Sequence, residues 1–395
     1  MYNFKEAELG PEFAKDKMKE FRKLINASLS FVVMSMPGVG ASYFLKYLAT
    51  RNFAYFIHVD FYELPFLTQH EFYKLLLFRL GGKPTSKSDE ELFLKAKSLL
   101  FNLSQKHDKI VIIFNRFDQL KKEFDWNFLS NLQSLATLAP GKIVLIFTST
   151  KPLTEVAPDA LEGGNLTFYS KILYFKPYKK EELKKLLKIE PEQLPKPTEL
   201  DRLLDLSGGH NQLLHILLNS QKQQNLLLDQ FVRVQMKGLV DYLDYGQRKQ
   251  IQKMASPVKH YGVNSASHPA PSDGAGSIDE YLLGVGMVKK VGTKYELFTP
   301  LLAEYIKQNM PLRLPPKEAK LFKLLRANLG KVLSKDEIFE AIWENEMEGA
   351  TGKSDLPTDW ALDALIYRLR KHPFITSHGY IIESHKKVGY SLIQT

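Results

Sequence analysis

The chain has 395 residues, 44% hydrophobic and 25% charged, a balance that excludes a fibrous or wholly disordered protein and leaves room for about two to four domains. Lys and Arg number 54 against 44 Asp and Glu, a net charge of +10 that favours a polyanionic partner. Cysteine is absent, which excludes disulfides, thiolate zinc sites, iron–sulfur ligation and cysteine nucleophiles. No apolar run approaches the length of about 18 residues that a membrane span needs, and the start, Met1 to Glu6, has no apolar signal core. A cytoplasmic protein without membrane association is expected.

The pattern predicts a basic amphipathic helix over Gly10 to Asn26, then an apolar strand over Ser28 to Ser35. A turn at Pro37-Gly38-Val39-Gly40 leads into a helix from Ser42 to Thr50. Strands follow at Phe53 to Tyr62, Lys109 to Phe114, Lys142 to Thr148 and Ser170 to Phe175. Helices over Glu71 to Leu80, Glu90 to Gln105 and Phe128 to Ala139 alternate with them, the mark of a parallel α/β sheet. After Pro177 the reading is helical: Glu181 to Leu187, Leu200 to Leu206, Asn211 to Gln221 and, again, Leu226 to Ala255. Pro257 to Gly276 reads as a loop. A helix at Ile278 to Leu283, a hairpin from Met287 to Phe298 and a helix from Pro300 to Asn309 follow. Arg313 to Pro316 reads as a linker. Beyond it come helices at Pro316 to Asn328, Lys335 to Glu344 and Thr358 to His372. Strand-like segments at Phe374 to Thr376, Gly379 to Glu383 and Gly389 to Ile393 end the chain.

The strand–turn–helix at residue 38 has the layout of a phosphate loop, in which glycines let backbone N–H groups wrap phosphate, a lysine reaches the terminal phosphates and a hydroxyl holds Mg²⁺. Gly38, Gly40 and Ser42 fit that scheme, but Ser35 stands where the first glycine belongs and Ala41 where the lysine belongs. The strand that should end in metal-binding and catalytic acids ends Phe114-Asn115-Arg116-Phe117-Asp118. Asn115 takes the metal-ligand place, Arg116 the catalytic-acid place, and Asp118 comes later.

These pieces resemble the STAND and origin-recognition (Cdc6-like) branch of the AAA+ ATPases over roughly the first 310 residues. Further matches are Lys19 to Leu24, the sensor-like strand Ile143 to Ser149, and Leu206-Ser207-Gly208-Gly209-His210-Asn211-Gln212-Leu213-Leu214, similar to a lid motif with Asn211 in place of proline. Tyr281 to Tyr305 resembles the winged helix that follows such lids. The resemblance implies ATP binding and hydrolysis. The departures at Ala41, Asn115 and Arg116 point instead to a pseudo-ATPase without catalytic residues. A degenerate nucleotide site would comprise Gly38, Gly40, Ser42 and Asp118. Whether ATP or ADP is still held is left open.

Thr358 to His372 places Leu362, Leu365, Ile366 and Leu369 on one helical face and Trp360, Ala364, Tyr367, Arg368 and Lys371 on the other. Ser334 and Glu337 form a capping box ahead of the middle helix. Leu314 to Phe322, Val332 to Ile338, Leu362 to Lys371 and Val388 to Leu392 closely resemble the OmpR/PhoB-type effector domain. The resemblance implies major-groove reading by Trp360, Ala364, Tyr367 and Arg368, and wing contacts from Ser384 and Lys386, with Lys371 and Lys387 nearby. Arg368 is expected either to read a guanine or to sit on the phosphate backbone. The acidic loop from Glu346 to Leu356 occupies the place that often meets RNA polymerase. Members of that family usually carry a receiver domain ahead of this unit; here an ATPase-like module takes its place, so phosphorelay control is not implied.

The expected architecture is therefore an α/β P-loop NTPase-like parallel-sheet domain (1–176), a helical lid (177–224), a middle winged helix (225–312) and an OmpR/PhoB-type winged helix (313–395). The expected function is sequence-specific DNA-binding transcription regulation with double-stranded DNA as partner. RNA polymerase and a second copy of the chain are further partners this architecture allows. The alternatives are an ATP-dependent STAND-like switch and an origin-recognition-like DNA-binding factor. His70-Glu71 fails as a zinc motif because Lys74 stands where the second histidine belongs, so no metal site is expected.

Overall fold

The computed structural model describes residues 4–119, 123, 125–157, 161, 169–189, 194–220, 225–255, 278–292, 294–309, 314, 316–347, 358–372, 375, 379–386 and 388–394. Packing divides the chain into two compact units, residues 1–235 with 280–289, and residues 236–279 with 290–395.

The first unit is built on five strands: β1 (Phe31–Ser35), β2 (Tyr55–Asp60), β3 (Ile110–Asn115), β4 (Ile143–Ser149) and β5 (Ile172–Phe175). Their order is β2-β3-β4-β1-β5 and every neighbouring pair is parallel. β1, β3 and β4 are buried along their whole length, as the unbroken apolar runs require when helices cover both faces. Those helices are α1 (Lys15–Asn26), α2 (Ala41–Ala49), α3 (Gln69–Arg79), α4 (Asp89–Ser104), α5 (Trp126–Thr137) and the short α6 (Leu153–Val156). The core is rich in phenylalanine: Phe21, Phe31, Phe44, Phe72, Phe114, Phe128 and Phe147 are fully buried. With the loop after β1 leading directly into α2, this is a P-loop NTPase-like fold. Three helices extend it: α7 (Lys180–Lys188), α8 (Pro197–Ser207) and α9 (Asn211–Ser220). Lys17 of α1 ties to Glu182 of α7 at 2.9 Å in an almost buried ion pair.

The segment from Leu226 to Ala255 is helical, as expected, in more than one piece. A 3₁₀ turn (Leu226–Leu228) precedes α10 (Gln230–Asp241), and α11 (Tyr245–Ala255) follows a new cap. Asp244 accepts from the Gln247 N–H at 2.8 Å, and Gln247 Oε1 accepts from the Asp244 N–H at 3.2 Å. That reciprocal pair is an N-terminal capping signature, strong enough to stop one helix and start the next. The loop at 257–276 lies outside the described residues. The short helix α12 (Glu280–Gly284) returns to the first unit, and a hairpin of β6 (Val288–Val291) and β7 (Lys294–Leu297) precedes α13 (Pro300–Asn309).

The C-terminal part of the second unit has its own core. Around it run α14 (Pro316–Ala327), β8 (Leu333–Ser334), α15 (Lys335–Met347), α16 (Asp359–Lys371), β9 (Tyr380–His385) and β10 (Gly389–Gln394). Leu321, Leu325, Ile338, Leu362, Leu365, Leu369 and Leu392 fill that core. The expected capping box is present: Ser334 Oγ accepts from the Glu337 N–H at 3.2 Å, and Glu337 Oε2 accepts from the Ser334 N–H at 2.7 Å. The sheet order is β8-β10-β9, with Leu333–Ser334 as its third strand, and the expected strand at Phe374 to Thr376 falls mostly outside the described residues. Of the latter segment only Ile375 is described, and it is helical. Pairing of β8 with β10 explains one glycine: a Cβ at Gly389 would lie 1.8 Å from the Leu333 carbonyl oxygen. Helices packed over a small antiparallel sheet make this a winged helix. Among the described residues, no helix is long and apolar enough to cross a membrane.

Candidate functional site

The carboxyl ends of β1 to β4 converge on one cavity of about 500 Å³, where ligands of open parallel sheets bind. The loop Ser35 to Ser42, Tyr62, Arg116, Asp118, Thr148 to Thr150, Asn211 and Gln212 line it. Sheet register sets Asp60 opposite Asn115, so the ends of β2 and β3 meet here.

Gly38 and Gly40 take positive φ angles of 75° and 103°, the conformations a phosphate-wrapping turn needs. Ser42 opens α2, and its hydroxyl donates to Asn115 Oδ1 at 3.1 Å. Ala41 is buried in the place of the missing lysine. Around Asn115 a closed polar network forms. Asn115 Nδ2 donates to Asp60 Oδ2 at 3.0 Å, and Thr148 Oγ1 donates to Asn115 Oδ1 at 3.2 Å. The Arg116 N–H donates to Thr148 Oγ1 at 2.6 Å, with Arg116 itself at a φ of 60°. The Arg116 guanidinium pairs with the Asp60 carboxylate and lies 3.6 Å from the centre of the Tyr62 ring. Asp60 is 6% exposed and Arg116 26% exposed at the side chain. A fixed cation thus sits among the polar side chains at the ends of β2 and β3. Asp118, grouped with the nucleotide-binding residues by sequence, lines the same cavity. Its carboxylate accepts from the Thr150 N–H at 2.8 Å and the Thr150 hydroxyl at 2.6 Å, which ties the end of β4.

Sequence reasoning did not single out Asp60 or Tyr62. The available signal was position: Asp60 ends a strand of a parallel sheet, on the side where sites form.

The second surprise is how tightly α9 grips the loop. The Gln212 N–H donates to Gly38 O at 3.0 Å, the Asn211 N–H to Val39 O at 3.4 Å, and the Tyr178 hydroxyl to Gly40 O at 2.8 Å. His210 is fully buried, with Nε2 2.8 Å from Pro37 O and Nδ1 accepting from the Leu213 N–H at 3.2 Å. A carbonyl only accepts, so Nε2 carries the proton and the ring is neutral. Burial pushes its pKa down to about 4. Asn211, the residue that departs from the resembled lid motif, is buried in the cavity wall, and its Oδ1 makes no hydrogen bond among the described residues.

The His210 geometry fixes a pH dependence. An unfolded histidine titrates near 6.5 and the folded one near 4, so the unfolded chain binds the extra proton between them. The stabilisation is complete above about pH 6.5 and is lost as pH falls towards 4, by roughly 3 kcal/mol at most. Buried His58, also lowered to about 4 by desolvation, acts in the same window. Denaturant unfolding of wild type and His210→Gln at pH 7.0, 5.5 and 4.5 should therefore show a shallower, though not flat, pH slope in the variant. An unchanged slope would contradict the neutral buried ring.

Of the predicted DNA-binding residues, Trp360, Ala364, Tyr367, Arg368 and Lys371 lie on α16. Thr358 caps the helix, its hydroxyl accepting from the Ala361 N–H at 3.4 Å. Leu362, Leu365, Ile366 and Leu369 face the core, as expected. Trp360 is 79% and Tyr367 62% exposed, Ala364 is half-buried between them in sequence, and the Lys371 ammonium lies 5.8 Å from the centre of the Tyr367 ring. Arg368 behaves differently. Its Nε donates to Glu318 of α14 at 2.9 Å, the arginine being 58% and the glutamate 10% exposed. Ser384 accepts from Arg370 Nη2 at 2.6 Å while Arg370 Nε donates to Ile382 O at 2.9 Å, so this hydroxyl helps fasten the wing to the helix. Lys386 is exposed at the tip between β9 and β10, and Lys387 lies outside the described residues, as does 348–356 of the expected polymerase loop.

No curated protein sequence matches the chain. Among solved structures, it is similar to a Walker-type ATPase of Pyrococcus abyssi (15% identity, 76% of this chain and 96% of that one, TM-score 0.47). It is also similar to the Aeropyrum pernix ORC1 protein in complex with DNA (11% identity, 100% and 94%, TM-score 0.41) and to Drosophila ORC bound to DNA (13% identity, 96% and 82%, TM-score 0.43). Residues 309–392 match the family described as transcriptional regulatory protein, C terminal. The C-terminal winged helix is therefore a DNA-binding domain of the OmpR/PhoB type found in transcriptional regulators.

Proposed function

We propose that the chain is a sequence-specific DNA-binding transcription regulator whose N-terminal module has lost ATP hydrolysis. The observation that carries the first half is the exposed face of α16, where Trp360, Tyr367 and Lys371 stand clear of a core that does not need them. In this reading α16 enters the major groove, and Arg368, Lys371 and Lys386 neutralise phosphate. The second half rests on the Asp60–Arg116–Asn115–Ser42 network. Asn115 brings no charge for Mg²⁺, a guanidinium cannot take a proton from water, and no lysine reaches a γ-phosphate from position 41. The glycine loop, Ser42 and the 500 Å³ cavity favour a nucleotide held without turnover as the secondary reading.

Selection of genomic fragments by the full-length protein at two salt concentrations tests the DNA half. A motif that survives the higher salt is expected. Arg368→Ala should weaken all sites alike and reduce the salt slope by about 0.9, as for one lost phosphate contact. Retention without a motif, vanishing as salt rises, would overturn sequence reading. In the same preparation, Mg²⁺-ATP turnover should stay at background. Turnover above background that Ser42→Ala abolishes would overturn the pseudo-ATPase and restore the switch alternative.

A further inference from the structure

Two large aromatic side chains left in water on a helix that builds a core call for an explanation. Trp360 at 79% and Tyr367 at 62% exposure add nothing to the hydrophobic core, which the opposite face of α16 supplies through Leu362, Leu365, Ile366 and Leu369. At 3.6 residues per turn, Trp360, Ala364, Tyr367 and Lys371 fall within about 60° of one another along the centre of the outer face. Arg368 lies about 80° round from Trp360, on the flank, and Glu318 holds it there by its Nε. The helix's other arginine, Arg370, is committed to the Ile382 carbonyl and Ser384. Its two acids are occupied as well: Asp359 pairs with Lys335 at 2.7 Å, and Asp363 accepts from the Tyr390 hydroxyl.

The centre of the face is therefore apolar, with one ammonium at its end. Guanine is read in the major groove by a forked arginine or by lysine, adenine by a carboxamide, and thymine through its methyl group by apolar contact. The centre holds no carboxamide and no arginine. We infer that the centre of α16 reads thymine methyl groups, with Trp360 and Tyr367 as the specificity-determining residues and Ala364 as the gap that lets the base edge approach. Lys371 and Arg368 then hold the flanking phosphates. This rests on the DNA-binding reading above, and deepens it by naming the base chemistry recognised.

The test uses the full-length protein and the motif it selects. Runs of A·T pairs at the positions facing α16 are expected. Replacing each contacted thymine by deoxyuridine, which removes only the methyl group, should weaken binding about fourfold, the worth of one methyl-sized group leaving water. Trp360→Ala and Tyr367→Ala, both at exposed positions, should fold normally and each lose the deoxyuridine effect at one thymine. Tyr367→Phe should keep it. A motif whose α16 contacts are guanines, or an affinity indifferent to deoxyuridine, overturns the inference and leaves the DNA-binding function standing. Absence of any motif removes both.

Discussion

Gly40→Ala should destabilise the first unit by about 3 kcal/mol. Two causes act together. Gly40 has a φ of 103°, beyond the narrow left-handed region that an alanine tolerates. An added Cβ would also lie 2.7 Å from Tyr178 Cε2 and 2.9 Å from Asn211 Cβ, and both of those side chains are buried. Neither is a flexible end that can swing away, so the loop and α9 must separate. Gly81→Ala is the control that divides the causes. Its φ is 87° and no atom lies within 4 Å of the position a Cβ would take, so only the backbone cost of roughly 1 kcal/mol remains. Denaturant unfolding of both variants, with limited proteolysis of the region after Pro177, measures the difference. Equal destabilisation by the two variants would mean that α9 does not clamp the loop.

That clamp shows where sequence reading stops. The α/β alternation was legible because β3 and β4 are apolar runs with no alternation, and two-sided burial is the usual fate of such runs. The winged helix was legible because helical period and local capping carry it: Leu362, Leu365, Ile366 and Leu369 repeat at the spacing of one face, and Ser334 and Glu337 sit three apart. The break between α10 and α11 is written in the same local code, as Asp244 and Gln247, which sit three apart. The contents of the site were another matter. Arg116 reads from sequence as a lost acid, whereas the fold makes it the partner of Asp60, 56 residues away, and the neighbour of Ser42, 74 away. Pairing across parallel strands depends on register, which no local pattern reports. For the same reason Arg368 could be placed on a face but not on Glu318, which lies 50 residues earlier on another helix.

Arg116→Ala should cost about 3 kcal/mol, because it leaves the almost buried Asp60 carboxylate without its cation. The pair itself need not contribute that much. Removing both charges is often far milder than removing one, since desolvating two ions offsets most of their attraction. Asp60→Asn in the Arg116→Ala background should accordingly recover most of the loss, and the double-mutant cycle should show coupling of roughly 2 kcal/mol. The cycle also separates two accounts of this site. If Arg116 is only a surface cation that happens to lie over Tyr62, the two substitutions will be additive and each will cost under about 1 kcal/mol. If it fills the metal's place in a closed network with Asn115, Thr148 and Ser42, the substitutions will be strongly coupled, and added Mg²⁺ will not stabilise the wild type, whose carboxylate already has its cation. Unfolding midpoints of the four proteins, with and without Mg²⁺, distinguish the two.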